Sequence, residues 1–166
     1  MSRREPNSAD TASVIAPPPL IALAAIVFGL LLDGLFPAYV LSVALPRGEH
    51  RLVGAVLIVA SACLAVPAIR AFRRAGTHVE PWRPASALVT DGIFRFVRNP
   101  MYVALIVFVA GLAILTASDW MLVMCIPLAF TLHIGVVRRE ERYLEDKFGA
   151  AYRRYCDSVP RYGWPL

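Results

Sequence analysis

Four stretches of this chain run for 18 or 19 residues without an Asp, Glu, Lys or Arg: 14–32, 52–69, 100–118 and 120–137. Each suits a helix crossing a hydrocarbon core about 30 Å thick, which takes roughly 17–25 residues. Lone strands are excluded, because every unpaired backbone group in lipid costs several kcal/mol. Helices are therefore expected despite the many Val and Ile residues, whose stiff side chains lean slightly the other way. The chain has 166 residues, 58% of them hydrophobic and 17% charged, against about 25% charged in soluble domains. The expected fold is all-α: a polytopic membrane bundle of about four transmembrane helices, followed by a C-terminal cytoplasmic amphipathic helix.

Local signals place the boundaries. Residues 1–13 are polar and read as a loose cytoplasmic N-terminus, leaving 14–166 as a single domain. Pro17, Pro18 and Pro19 mark the start of the first span, since Pro fits a helix's first turn and not its interior. Residues 35–45 are apolar but interrupted by Pro37. They are too short to span alone, so they extend the first helix or lie in the interface. The third and fourth spans are separated by little more than Ser118 and Asp119, which predicts a tight antiparallel hairpin.

Orientation follows from the basic residues. With four spans, both termini share a side with residues 70–98, and that side collects every Lys and Arg except Arg47 and Arg51. Such an asymmetry puts both ends in the cytoplasm. Trp82, Trp120 and Trp164 stand next to span ends or in flanking segments, as an aromatic belt requires. The net charge of +5 is distributed between apolar runs and forms no single soluble basic face, so no nucleic-acid partner is expected. Cys63, Cys125 and Cys156 have neither metal-ligand nor disulfide spacing. No His, Cys, Asp or Glu pair suggests a metal, and no phosphate loop or nucleotide fingerprint occurs.

Two segments carry the recognisable chemistry. In residues 88–102, Thr90, Asp91 and Gly92 form a turn signal, and Pro100 opens the third span, with Arg98 and Asn99 at its entrance. A helix N-terminus offers unpaired N–H groups to an anionic group, and Arg98 adds a fork suited to a carboxylate. Arg95 and Arg98 are equally explicable as charges that set topology. In residues 137–155, the spacing predicts one helix continuing past the membrane. Val137, Glu141, Leu144 and Phe148 share a face at three- and four-residue steps. A carboxylate within that stripe is expensive unless paired, so Glu141 pairs with an Arg of the bundle or holds a cation. Glu140 also serves as an ordinary partner for nearby arginines. His133 lies inside the fourth span, where an ionisable group is a functional candidate; a neutral, hydrogen-bonded core histidine fits equally. Asp33 is similarly ambiguous.

Residues 92–102, ending Arg98-Asn99-Pro100-Met101-Tyr102, resemble the Arg-His/Asn-Pro-x-Tyr motif of isoprenylcysteine carboxyl methyltransferases and the related phospholipid methyltransferases. Glu140-Glu141-x-x-Leu144, Phe148-Gly149-x-x-Tyr152-x-x-Tyr155 and Val159-Pro160-Arg161 resemble the C-terminal signature of the same family. The likeness covers residues 76–166 well. It implies methyl transfer from S-adenosylmethionine to a lipophilic small molecule or lipid at the cytoplasmic membrane surface, the acceptor being a carboxylate, amine or thiol. Matched position by position, Gly92, Arg98, Asn99, Pro100, Tyr102, Glu140, Glu141, Leu144 and Tyr152 would form the cofactor site, with Arg98, Glu140 and Glu141 catalytic. Where family members carry His, this chain has Asn99, which cannot titrate. The compact chain resembles the smaller prokaryotic members, implying an inner membrane. The competing readings are a reductase of sterol-like lipids and a non-enzymatic lipid-binding scaffold.

Overall fold

The computed structural model describes residues 11–45 and 48–163. Arg3, Arg4, Arg47 and Trp164, which bear on the topology reading, lie outside these residues. The described chain is helical and contains no strand. Its elements are α1 (Pro18–Leu35), α2 (Val40–Ala44), α3 (Glu49–Arg74), α4 (Pro100–Leu115), α5 (Asp119–Leu132), α6 (Arg138–Phe148) and α7 (Ala150–Ser158). A 3-10 turn at Gly92–Arg95 precedes α4, and a π turn at His133–Val137 joins α5 to α6 without a break.

α1, α3, α4 and α5 alternate in direction, with α3 against α4, α1 against α5, and α4 against α5. Small residues make these contacts. A Cβ added at Gly29 would lie 2.5 Å from Met121 Cα, and one at Gly54 would lie 2.5 Å from the Leu115 nitrogen. The buried residues include Ala22, Ala68, Ala71, Ala104 and Ala113, whereas Phe130 and Ile126 are 66% and 73% exposed. Large apolar side chains facing outward over small ones facing inward is the arrangement of helices whose solvent is lipid. Among the described residues three helices are long and apolar enough to span: α1, α3 and the continuous Asp119–Phe148. This is a multi-pass membrane protein.

The third expected span is shorter than its charge-free stretch. α4 stops at Leu115 after 16 residues, about 24 Å at 1.5 Å per residue. Ala117 adopts φ +52°, and the Ser118 amide turns back to donate to the Ala113 carbonyl at 2.8 Å. The hairpin to α5 follows at once, with Ser118 capping α5 by accepting from the Met121 amide at 3.2 Å. The amphipathic segment also differs from the single helix its periodicity predicts. Gly149 takes φ +54° and ψ −125°, a conformation open to glycine for want of a Cβ, and α7 leaves in a new direction.

At the end of the bundle opposite Arg98 and α6, two aspartates lock the connections. Asp33 accepts hydrogen bonds from the Ser118 hydroxyl and the Trp120 amide. Asp119 accepts from the Val40 amide at 3.0 Å and the Leu41 amide at 2.8 Å. Its carboxylate therefore sits at the N-terminus of α2, where anions are favoured. Pro37 explains why α1 does not simply continue: Phe36, immediately before it, takes φ −135° and ψ 69°, outside the helical region that a following proline disfavours. Residues 35–45 thus close α1 and then form a separate short helix. Asp119→Ala should cost about 2 kcal/mol, the loss of two charge-assisted hydrogen bonds at a buried site, read as a lower SDS midpoint in mixed micelles. An unchanged midpoint would show that these bonds contribute nothing net.

Candidate active site at the arginine-rich end

Backbone pairing positions this site. The Arg98 amide donates to the Pro160 carbonyl at 3.0 Å and the Asn99 amide to the Arg161 carbonyl at 3.2 Å. The C-terminal segment is thereby laid alongside the start of α4. Pro100, at the first position of α4, has no N–H to leave unsatisfied there. Farther along, Tyr152 and Tyr155 of α7 are buried against Ala68, Ala71, Val89 and Phe94, with Leu144 and Phe148 of α6 packed on the same cluster. The Tyr155 hydroxyl donates to the Phe94 carbonyl at 2.7 Å, fixing α7 to the 3-10 turn.

Glu141 is the electrostatic centre. Arg161 grips it bidentately, Nε to Oε1 at 2.8 Å and Nη2 to Oε2 at 2.7 Å. Arg98 Nη1 lies 3.3 Å from Oε1 and also donates to the Cys156 sulfur. Two guanidiniums around one carboxylate leave this triad with a surplus positive charge. Arg98 Nε is buried and has no hydrogen-bond partner among the described residues. A donor in that state costs free energy until something accepts from it. The hydrogen bonds that Arg161 donates to Glu141 raise the Arg161 pKa. Burial pushes the Tyr152 phenol far up, with the Glu141 charge adding in the same direction, so Tyr152 stays neutral across the physiological range.

Glu140 occupies the adjoining position and accepts a 2.6 Å hydrogen bond from the Tyr102 hydroxyl. It stands where two cavities meet. One, of about 60 Å³, is bordered by Arg98, Asn99, Glu140, Glu141, Leu144 and Tyr152 under the residues around Val79 to Val89. The other, of about 220 Å³, is largely apolar and bordered by Pro18, Trp82, Pro100, Met101, Tyr102 and Leu105. Arg98, Asn99 and Glu140 belong to both. The loop over the smaller cavity is tied by the Ala85 amide to the Tyr143 hydroxyl and by the Ser86 amide to Thr77 Oγ1.

Of the residues singled out in the sequence, Arg98, Asn99, Pro100, Tyr102, Glu140, Glu141, Leu144 and Tyr152 border one or both cavities. Gly92 does not: it is exposed, with φ +61°, and starts the 3-10 turn. Glu141 has the arginine partner its position demands. The bidentate fork, however, comes from Arg161, and Arg98 supplies the weaker contact. Sequence reasoning also gave no role to Cys156, which accepts from Arg98, or to Glu80 and Ala12, which border the smaller cavity. His133 shares a 2.8 Å hydrogen bond between Nδ1 and the Tyr162 hydroxyl. Among the described residues no group of three or more metal-ligating side chains occurs.

The family model described as phospholipid methyltransferase matches residues 50–151. A protein-S-isoprenylcysteine O-methyltransferase from Schizosaccharomyces pombe is 33% identical over 79 residues, which cover 48% of this chain. The chain spans 33% of that relative's length.

Proposed function

This chain belongs to the phospholipid methyltransferase family, and on that premise we propose that it transfers a methyl group from S-adenosylmethionine to a lipophilic acceptor at the cytoplasmic surface of the membrane. The observation that carries this reading is the meeting of a polar and an apolar cavity at Arg98, Asn99 and Glu140. The donor set fits the cofactor. The buried, unsatisfied Arg98 Nε and the surplus positive charge of the triad suit its carboxylate, and Glu140 suits its cationic or hydroxyl groups. A cavity of about 60 Å³ admits only part of such a molecule, whose sites usually measure roughly 300 Å³ or more. The loop at residues 78–89 must therefore give way on binding.

S-adenosylmethionine supplies a methyl group on a sulfonium, and its transfer needs alignment more than covalent help. Orientation of that kind is worth roughly 7–11 kcal/mol. Arg98 and Glu141 would hold the polar end, and Tyr102 fixes the Glu140 carboxylate toward the shared wall. Met101, Leu105 and Pro18 would order the acceptor's apolar portion. The Asn99 amide cannot take up a proton, so an amine or thiol acceptor would lose its proton to another group. Residues 76–166 would carry this chemistry, and the asymmetry of the basic residues supports a site on the cytoplasmic side.

Calorimetry of the detergent-purified protein should show S-adenosylmethionine binding, and its absence in both detergent and lipid would refute the proposal. Met101→Trp, which fills the apolar cavity, should raise the acceptor KM about tenfold, equivalent to about 1.4 kcal/mol, and leave cofactor affinity unchanged. Lost cofactor affinity in that variant would mean that the two cavities do not divide the substrates in this way.

A further inference from the structure

The outward face of α6 takes no part in the site described above, yet it forms the wall of a second, strongly basic recess. Arg138, Arg139 and Arg142 border an open groove of about 710 Å³ together with residues 11–13, Ile134 and Lys147, and among the described residues the one carboxylate on it is Asp146. All three arginines are exposed, and neither Arg138 nor Arg142 has an ion pair among the described residues. The opposite wall is held in place. Arg139 Nη1 donates to the Ser13 carbonyl at 2.8 Å, and the Ile15 amide donates to the Gly135 carbonyl at 3.2 Å. Ile15 packs so closely on the π turn that a Cβ at Gly135 would lie 2.3 Å from its Cδ1. Residues 11–13, expected to be the end of a loose tail, are seated here.

We propose that this groove binds the phosphate of an anionic phospholipid. Depth is the deciding argument. Arg138 is the first charged residue after the apolar run 120–137, and Arg142 lies one turn farther, about 6 Å along the helix axis. A bilayer's headgroup layer is about 5–7 Å thick on each side of the hydrocarbon. The guanidiniums therefore fall within the headgroup layer, with the exposed Ile134 below them at acyl-chain depth. Guanidinium forks match phosphate oxygens, and basic residues at this depth attract anionic lipids. A soluble anion would have no use for the apolar floor.

The test is thermal unfolding of the full chain in neutral detergent, with phosphatidylglycerol, phosphatidylcholine or inorganic phosphate added. Phosphatidylglycerol should raise the midpoint and phosphatidylcholine should not. Arg138→Gln/Arg142→Gln should lose most of the rise while melting normally without lipid. Arg95→Gln/Arg154→Gln, which removes equal charge from exposed positions elsewhere, should keep it. An equal loss in both double variants, an undiminished rise in the α6 variant, or an equal rise with inorganic phosphate would each overturn the proposal. None of these readings involves methyl transfer, so the outcome stands apart from the proposed activity.

Discussion

Glu141→Gln should lower kcat/KM for methyl transfer at least 100-fold and abolish measurable cofactor binding. The substitution keeps the side chain's shape and removes its charge. Arg161 then keeps at most one hydrogen bond, to the amide oxygen, where it had two to a carboxylate, and Arg98 loses its ion pair. Breaking one side of a buried pair costs about 3–5 kcal/mol. Arg161 is 33% exposed on its side chain, so solvent screening reduces the stability loss to about 2 kcal/mol. The larger effect falls on the site. Without the Glu141 charge, the Arg98 fork keeps only its contact with the Cys156 sulfur, and a 100-fold loss corresponds to about 2.7 kcal/mol of lost binding and orientation. Calorimetry and steady-state kinetics on the same preparation separate the two effects. Cofactor affinity within threefold of the parent would remove Glu141 from the site.

Gly54→Leu should be the most damaging single change to the bundle. Even a Cβ there would lie 2.5 Å from the Leu115 nitrogen and 2.7 Å from the Gly111 carbonyl oxygen, so rigid backbone, and no flexible side chain, would have to move. Overpacking of this kind costs about 1–3 kcal/mol when a core can relax. Two helix backbones in contact have little freedom to do so, and about 4 kcal/mol is expected. Gly34→Leu is the control: nothing lies within 4 Å of its added Cβ, and its SDS midpoint should stay unchanged. Equal midpoints for both variants would mean that the α3–α4 approach is looser than described.

The spans were legible because lipid makes the same demand on every residue of a charge-free run. Their ends were less so. Ile114, Leu115 and Thr116 read as continuing helix, and only the conformation at Ala117 reveals that α4 has stopped. Gly149 hides in the same way, since a lone glycine is tolerated inside a helical pattern; nothing in the periodicity of residues 137–155 announces that the chain turns there. At the site, Glu141 was conspicuous as a charge on an apolar stripe, and that alone called for a cationic partner. Arg161 as the tighter partner was not legible. It follows Pro160 in an aperiodic tail, and its place depends on backbone hydrogen bonds to residues more than sixty positions earlier. Pairing across such separations leaves no mark in local spacing. The seating of residues 11–13 belongs to the same class.

That long-range pairing also orders events during synthesis. α1, α3, α4 and α5 all precede Pro160 and Arg161 in the chain, so a nascent chain releases these helices from the ribosome before the two carbonyls emerge. The helices of the bundle can thus meet before the candidate site is complete, since the site closes only when residues 160 and 161 pair with the start of α4.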